Sequence, residues 1–424
     1  MKIPIYFLLC IFFISCGFLH DKSESDDEPS YKATIIWDSG LYSNYYKSHI
    51  VEDDAVYFYE RPPGYHTVNI YALTKLDAKS GTLIWRSPVL FSNIIFCQPI
   101  ITGDFVYVFL EPNIIICFNK ETGIQTATIK PDINNLNLNL QRNPANYQEF
   151  MYVSLWDSKN EYFARFDTTT IIHTGDPSVI QSPVMDILWL PDTKSIVMAK
   201  PVIHNNNIFT GTFGSIYSPV ELAGFDIDTK EMVFHVSFGG PDDVNVPLPE
   251  TGNMLNPILI YNDTIYYLSW SIRAWDLQSK KIKFCHIFYY DNPYSNWYPA
   301  TNSLQPVYYN DKIFYTSGES YVPDKLKNIH CINSKTGELI WNDIAKNSDS
   351  PETNVIIAHN KLYVSQYNGL RVYNPETGKL IGVDKSFFGE SNGRNILYKD
   401  YMITLFEDRA NEEICKLVAV YVGK

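Results

Sequence analysis

The sequence predicts an all-β chain of eight four-stranded antiparallel units closed into a ring, with seven units as the alternative count. Three observations predict it. Aromatic residues are 15% of the chain and tyrosine alone supplies 31 residues, a composition that favours strands. A ten-residue unit recurs along the 424 residues, nearly identical in "LDAKSGTLIW" (76–85) and "INSKTGELIW" (332–341). Ahead of the copies stand paired short apolar runs around a polar turn, as in "PIITGDFVYV" (99–108) and "PVYYNDKIFY" (306–315). Recurrence about every 40 to 60 residues is the period of propeller blades, so the expected fold is a β-propeller.

The chain opens with "MKIPIYFLLCIFFISCGFLH". Lys2 followed by an apolar run reads as a secretory signal over residues 1–15, too short for a membrane span. The run ends in "FISC", which resembles the lipobox of bacterial lipoproteins, with Phe13 where leucine is usual. Cys16 would then carry the lipid, and Gly17 after it favours the outer membrane. An ordinary cleaved signal or a short anchor is the alternative. Residues 16–31 include the acidic "DKSESDDEPS", which buries nothing and reads as a flexible tether or a surface-export signal. Residues 32–424 form the propeller. Its first strand, "KATIIWD" (32–38), is expected to complete the last blade beside "KLVAVYV" (416–422), which removes the open edges of the ring.

Each unit has a legible chemistry. Asp77, Asn119, Asn333 and Asn374 can cap a turn with their side chains. Gly81, Gly123, Gly337 and Gly378 follow four residues later, where a tight hairpin exit needs a left-handed backbone. Trp85, Trp341, Phe234 or Phe284 then closes the unit, a residue suited to packing between neighbouring sheets. "FDIDTKEMVF" (225–234) and "WDLQSKKIKF" (275–284) are weaker copies and "FDTTTIIHTG" (166–175) is weaker still. The third unit, about 145–180, is degenerate and keeps seven blades open.

With strands a to d alternating in direction, the a–b and c–d turns share one face and are short. The long segments join b to c and d to a on the other face. That face collects Tyr65, Tyr217 and Tyr321, together with Tyr289, Tyr290, Tyr294, Trp297 and Tyr298 of "YYDNPYSNWYP". Such residues in loops on a rigid scaffold point to a binding face, with packing onto the rim as the alternative.

Other chemistries find no support. A net charge of −13 without a long basic run excludes nucleic acid. The nine histidines show no zinc spacing; His204 and His359 fall at a–b turns, where solvated side chains are expected. Asp242 and Asp243 read as a solvated loop rather than a calcium site. No phosphate-binding glycine loop or nucleophile elbow occurs. The five cysteines outside the signal and lipid site are odd in number and widely spaced, which is not a disulfide framework.

The repeated unit resembles the PQQ-like (quinoprotein-type) β-propeller family, with its A-x-D-x-x-T-G-x-x-x-W pattern, over roughly residues 32–424. Cys117 and Cys331, like Ala274 and Gly224, stand at the small alanine of that pattern, which implies a packing role. Some members are dehydrogenases holding pyrroloquinoline quinone above calcium, usually with two adjacent cysteines; no Cys-Cys pair occurs here and no metal or base set can be matched. A lipidated, signal-bearing, eight-bladed chain instead resembles the lipoprotein scaffolds of outer-membrane β-barrel assembly. The resemblance implies a monomeric, non-catalytic scaffold without cofactor, anchored at the outer membrane and binding an envelope protein. A surface glycan- or peptide-binding module is the alternative, and a degenerate quinoprotein dehydrogenase the third reading.

Overall fold

The computed structural model describes residues 29–43, 49–62, 70–94, 97–132, 139–140, 144–157, 160–191, 196–197, 199–213, 220–238, 258–268, 271–287, 306–317, 328–344, 354–366, 369–387, 395–408 and 411–423. They form eight antiparallel blades. Blade 1 runs His49–Glu52, Ala55–Glu60, Tyr71–Asp77 and Leu83–Phe91 as strands a to d. Blade 2 (Ile100–Thr102, Phe105–Leu110, Ile114–Asn119, Gln125–Ile129), blade 5 (Ile258–Tyr261, Thr264–Leu268, Ser271–Asp276, Ile282–Ile287) and blade 6 (Val307–Tyr309, Lys312–Ser317, Asn328–Asn333, Leu339–Ile344) repeat this plan, as does blade 7 (Ile356–Ala358, Lys361–Gln366, Gly369–Tyr373, Leu380–Asp384). Blade 4 follows it with a split first strand (Ile196–Val197 and Val202–His204). Blade 8 takes three strands from residues 396–421 and its fourth, Thr34–Ser43, from the start of the chain. The chain ends thus close the ring as the sequence predicts, with Trp37 opposite Ala419. Among the described residues no helix is long and apolar enough to cross a membrane.

Among the described residues there is no central core. The buried apolar side chains divide into eight clusters, one at each blade junction. Tyr57, Tyr59 and Trp85 of blade 1, for example, pack on Val106, Val108 and Phe118 of blade 2. Strands b and c are covered on both faces by neighbouring blades, so Ala55–Glu60 is buried at every position. The outer d strands lie at the rim and alternate, as in Leu83–Phe91.

The hairpin turns behave as their residues dictate. Asp77 Oδ1 accepts from the backbone N–H of Ser80 at 2.7 Å, and Asn119, Asp226, Asn333 and Asn374 cap the same turn elsewhere. Gly81 and Gly378 have φ of +69° and +68°. Each also lies under the tryptophan of the preceding blade, so that a Cβ would come within 2.6 Å of the Trp37 or Trp341 ring.

One residue in each c–d turn explains how the blades register. The residue after the capping Asp or Asn donates its N–H to the a–b turn of its own blade, Ala78 to Asp54, Lys120 to Asp104, Ile227 to Asn206 and Ser334 to Asp311, while in blade 7 it is Pro375, which has no N–H. Its carbonyl, in the peptide group that follows, faces the preceding blade and needs a donor there. Indole N–H groups supply it at three junctions, from Trp37 to Ala78, Trp85 to Lys120 and Trp341 to Pro375, at 3.0 to 3.1 Å. Where the tryptophan is missing, other side chains reach the same carbonyl. The Arg165 guanidinium donates to Ile227, and the Tyr266 and Tyr363 hydroxyls donate to Ser334 and Val422. Between blades 2 and 3 the Tyr107 hydroxyl interacts with the side chain of Thr168, the residue at the equivalent place in the chain. Between blades 4 and 5 the turn residue is Leu277, packed in an apolar cluster with Phe234 and Trp275.

The third blade departs most from the sequence expectation. It does not end near residue 180, and it is a full blade: Asn139–Leu140 and Ala145–Tyr147, Phe150–Trp156, Glu161–Asp167, then Asp186–Trp189. Its c–d connection is not a tight turn. After a short 3₁₀ turn, Thr168–Thr170, the chain leaves its own blade, and Ile180–Gln181 adds a parallel fifth strand to blade 2. The glycine of "HTG" takes no part in blade packing: Gly175 has nothing within 4 Å of a would-be Cβ. Eight blades, not seven, follow.

Candidate functional site

The residues expected to form the binding face, Tyr65, Tyr217, Tyr289, Tyr290, Tyr294, Trp297, Tyr298 and Tyr321, and the lipidation residue Cys16, all lie outside the described residues, as do Asp242 and Asp243. The strands that flank those aromatic segments are described. Those strands end at b–c or d–a positions, and their directions put these strand ends on one face of the disc.

The roots of those connections are fastened by buried polar groups. The Glu60 carboxylate, 1% exposed at the end of strand b of blade 1, takes both arms of an ion pair from Arg86 and a 2.7 Å hydrogen bond from Thr74 Oγ1. Asn354 and Asn395 clasp one another between blades 7 and 8: each side-chain amide donates to the other's main-chain carbonyl, and Asn354 Oδ1 accepts from the Asn395 N–H at 2.8 Å. The Arg273 guanidinium lies 4.5 Å from the Phe238 ring centre across the junction of blades 4 and 5. Pairing offsets part of the cost of burying these groups, and the contacts tie the strand ends together.

The opposite face carries an arrangement that sequence reasoning missed. The a–b turns surround the inner edge of the ring, and five have both central residues at positive φ, the geometry that matches strand twist. The residue before the turn reaches the next blade. His204 Nε2 lies 3.1 Å from the Asp263 carboxylate, Tyr261 stacks on Tyr308 at 3.4 Å, and the Tyr309 hydroxyl donates to Asn360. The Tyr398 hydroxyl donates to Asp54, and Glu52 pairs with Lys120. In blade 7 that position is Ala358, too short to cross, and the next residue, His359, meets Asp400 at 2.7 Å. His204 and His359 are therefore blade-to-blade contacts rather than simply solvated turn residues. Their signal was present as Tyr-Asn-Asp or His-Asn-Asn recurring one blade apart, but the partner lies some 40 to 60 residues away.

Several titratable groups are shifted. The Asp311 carboxyl is held below its ordinary range, first by Lys335 and then by the Tyr308 hydroxyl. Burial and the hydrogen-bonded Asp311 carboxylate together raise Tyr308. Burial raises the Cys117 and Cys331 thiols to about 12, so both are protonated packing groups at neutral pH. Cys117 Sγ is 3.8 Å from His173 Nδ1, whose imidazole pKa burial lowers. Among the described residues no group of three or more His, Cys, Asp or Glu could hold a metal ion.

These features define an eight-bladed β-propeller. In fold the chain is similar to BamB from Moraxella catarrhalis, with 12% identity and a TM-score of 0.59 over 92% of this chain and 98% of that one. It is also similar to a europium-containing methanol dehydrogenase (11% identity, TM-score 0.63, covering 88% and 85%). Quinohemoprotein alcohol dehydrogenase from Comamonas testosteroni is a third likeness (11% identity, TM-score 0.65, covering 92% and 77%). No protein-family model matches the sequence, and no curated protein does. At these identities the likeness shows the fold, which serves in BamB and in quinone-dependent dehydrogenases alike.

Proposed function

We propose that the chain is a non-catalytic, lipid-anchored scaffold of the bacterial outer membrane that binds an envelope protein through the b–c/d–a face of its propeller. The observation that carries this reading is the division between the faces. One is closed by short hairpins whose polar side chains are spent on neighbouring blades. The other receives the long connections, which hold the clustered aromatic residues of "YYDNPYSNWYP". Tyrosine and tryptophan offer large contact area with a polar tip, the composition of binding hot spots. The BamB-like fold and the "FISC" sequence at the start of the chain support the same reading.

Two experiments test it. Cys16→Ala should release the full-length protein from the membrane fraction, because the lipid is the only strong apolar anchor once the signal is removed; retention after alkaline wash would overturn the anchor. Trp297→Ala combined with Tyr294→Ala should weaken capture of a partner from solubilised envelopes about thirtyfold, the effect of losing one hot spot. Lys335→Ala, in a c–d turn on the opposite face, should change nothing. Early melting of the double variant with normal capture would make these aromatics rim packing. The same aromatic loop suits a glycan or peptide, and retention of the chain on envelope polysaccharide without any co-purifying protein would select that reading.

A further inference from the structure

The excursion that leaves blade 3 and lies along blade 2 is fastened on its inner side and apolar on its outer side. The His173 ring stacks on Phe105 with centroids 3.5 Å apart and planes within 5°. The Gly175 N–H donates to the Thr126 carbonyl at 3.0 Å, Thr128 Oγ1 donates to the Pro177 carbonyl at 3.0 Å, and the Lys130 N–H donates to the Gln181 carbonyl at 2.8 Å. The Gln181 side chain braces the segment across its own width, accepting from the Ile172 N–H and donating to the Ile172 carbonyl. Yet Ile172, Val179, Ile180, Val184, Ile187 and Leu190 are 43% to 87% exposed. Among the described residues, the exposed aliphatic residues of the other blades occur singly or in pairs, most of them near the start of the d strand as Leu83 and Ile84 do, which is ordinary surface. Six within residues 172–190, on a braced segment, form a concentrated apolar surface that is already ordered.

We propose that residues 171–190, on the outer rim of blades 2 and 3, are a docking surface for an extended strand of a partner protein. The proposal rests on the scaffold reading above and gives that scaffold a second contact surface. Three observations favour a strand over other occupants. Ile180–Gln181 and Asp186–Trp189 are the last strands of their sheets among the described residues, so their outer edges offer main-chain donors and acceptors that a strand matches and a lipid or sugar does not. The described chain enters the ring away from this rim: the Tyr31 N–H donates to the Val383 carbonyl and the Pro29 carbonyl accepts from the Val383 N–H, at blade 7, four places from blade 3. Finally, the exposed Asp176 lies among the apolar residues, a charge unsuited to anionic headgroups.

The test uses the full-length chain in the cells that make it, with p-benzoylphenylalanine at position 180 or 184 and at position 83 as a control. Irradiation should join positions 180 and 184, but not 83, to one other protein, with the attachment points inside a single segment and spaced by even numbers of residues. Val184→Asp and Ile180→Asp should each reduce co-purification of that protein about tenfold or more without lowering the melting temperature. Adducts to lipid, adducts to a second copy of this chain, absence of any adduct, or unchanged co-purification would each overturn the proposal. If the aspartate variants bind normally while the Trp297 and Tyr294 double variant does not, the rim proposal falls and the scaffold reading stands. If no envelope protein co-purifies with the unaltered chain, both fall.

Discussion

The indole of Trp341 in blade 6 lies flat against the α-carbon of Gly378 in blade 7, and its N–H donates to the Pro375 carbonyl of the same turn at 3.0 Å. A Cβ on Gly378 would stand 2.6 Å from the ring, and φ there is +68°. One glycine thus meets a conformational and a steric demand, each independent of the other.

Gly378→Ala should therefore lower stability by about 2 kcal/mol or more, combining left-handed strain with overpacking. Gly103→Ala separates the two effects. Gly103 has φ of +56° but nothing within 4 Å of a would-be Cβ, so only the strain of about 1 kcal/mol applies. Comparison of denaturation midpoints checks the difference. Equal losses would mean that the tryptophan can move aside.

Trp85→Ala and Trp341→Ala should each cost about 3 to 5 kcal/mol, because the change empties a junction between blades and strands a carbonyl. An unchanged melting temperature would contradict the packing described.

The substitute donors are tested more gently. Tyr266→Phe and Tyr363→Phe keep the ring and remove only the hydroxyl that meets Ser334 or Val422. Each should cost about 1 to 3 kcal/mol, since the carbonyl it serves is left without that donor. Tyr309→Phe removes an exposed hydroxyl at the inner ring and should cost less than either.

Acid should weaken the junction between blades 3 and 4. Asp186 accepts from Lys230 at 2.8 Å and from Arg165, and the Lys230 hydrogen bond first of all holds its carboxyl below the ordinary range. A carboxyl depressed in the folded state stabilises fully above its unfolded pKa of about 4 and loses that contribution as pH falls through the folded value. Melting temperatures of the wild type and Asp186→Asn should differ at pH 6 to 7 and converge at about pH 2 to 3. A constant gap across that window would remove Asp186 as the titrating group.

How far the sequence carried the fold can be read from single residues. Gly81, Asp77 and Trp85 were legible because their demands are local: a capped turn, a positive φ and a strand ending are set within ten residues. Trp37 was legible as the missing aromatic because the repeat left one place empty, and ring closure fills it. Arg165, Tyr266 and Tyr363 were not. They answer the need of a carbonyl about 60 residues away, and any side chain with a donor of the right reach can satisfy it. For the same reason His204 and His359 looked solvated until the next blade supplied Asp263 and Asp400.

The sequence by itself determined the hairpins, the blade period and the closure of the ring, because alternation and turn chemistry act over a few residues. The tertiary structure alone decided the count of eight, the route of residues 171–190 onto blade 2 and the donor at each junction. Those depend on which surfaces meet when the blades stack, and a main-chain carbonyl constrains its partner's position in space far more than its identity.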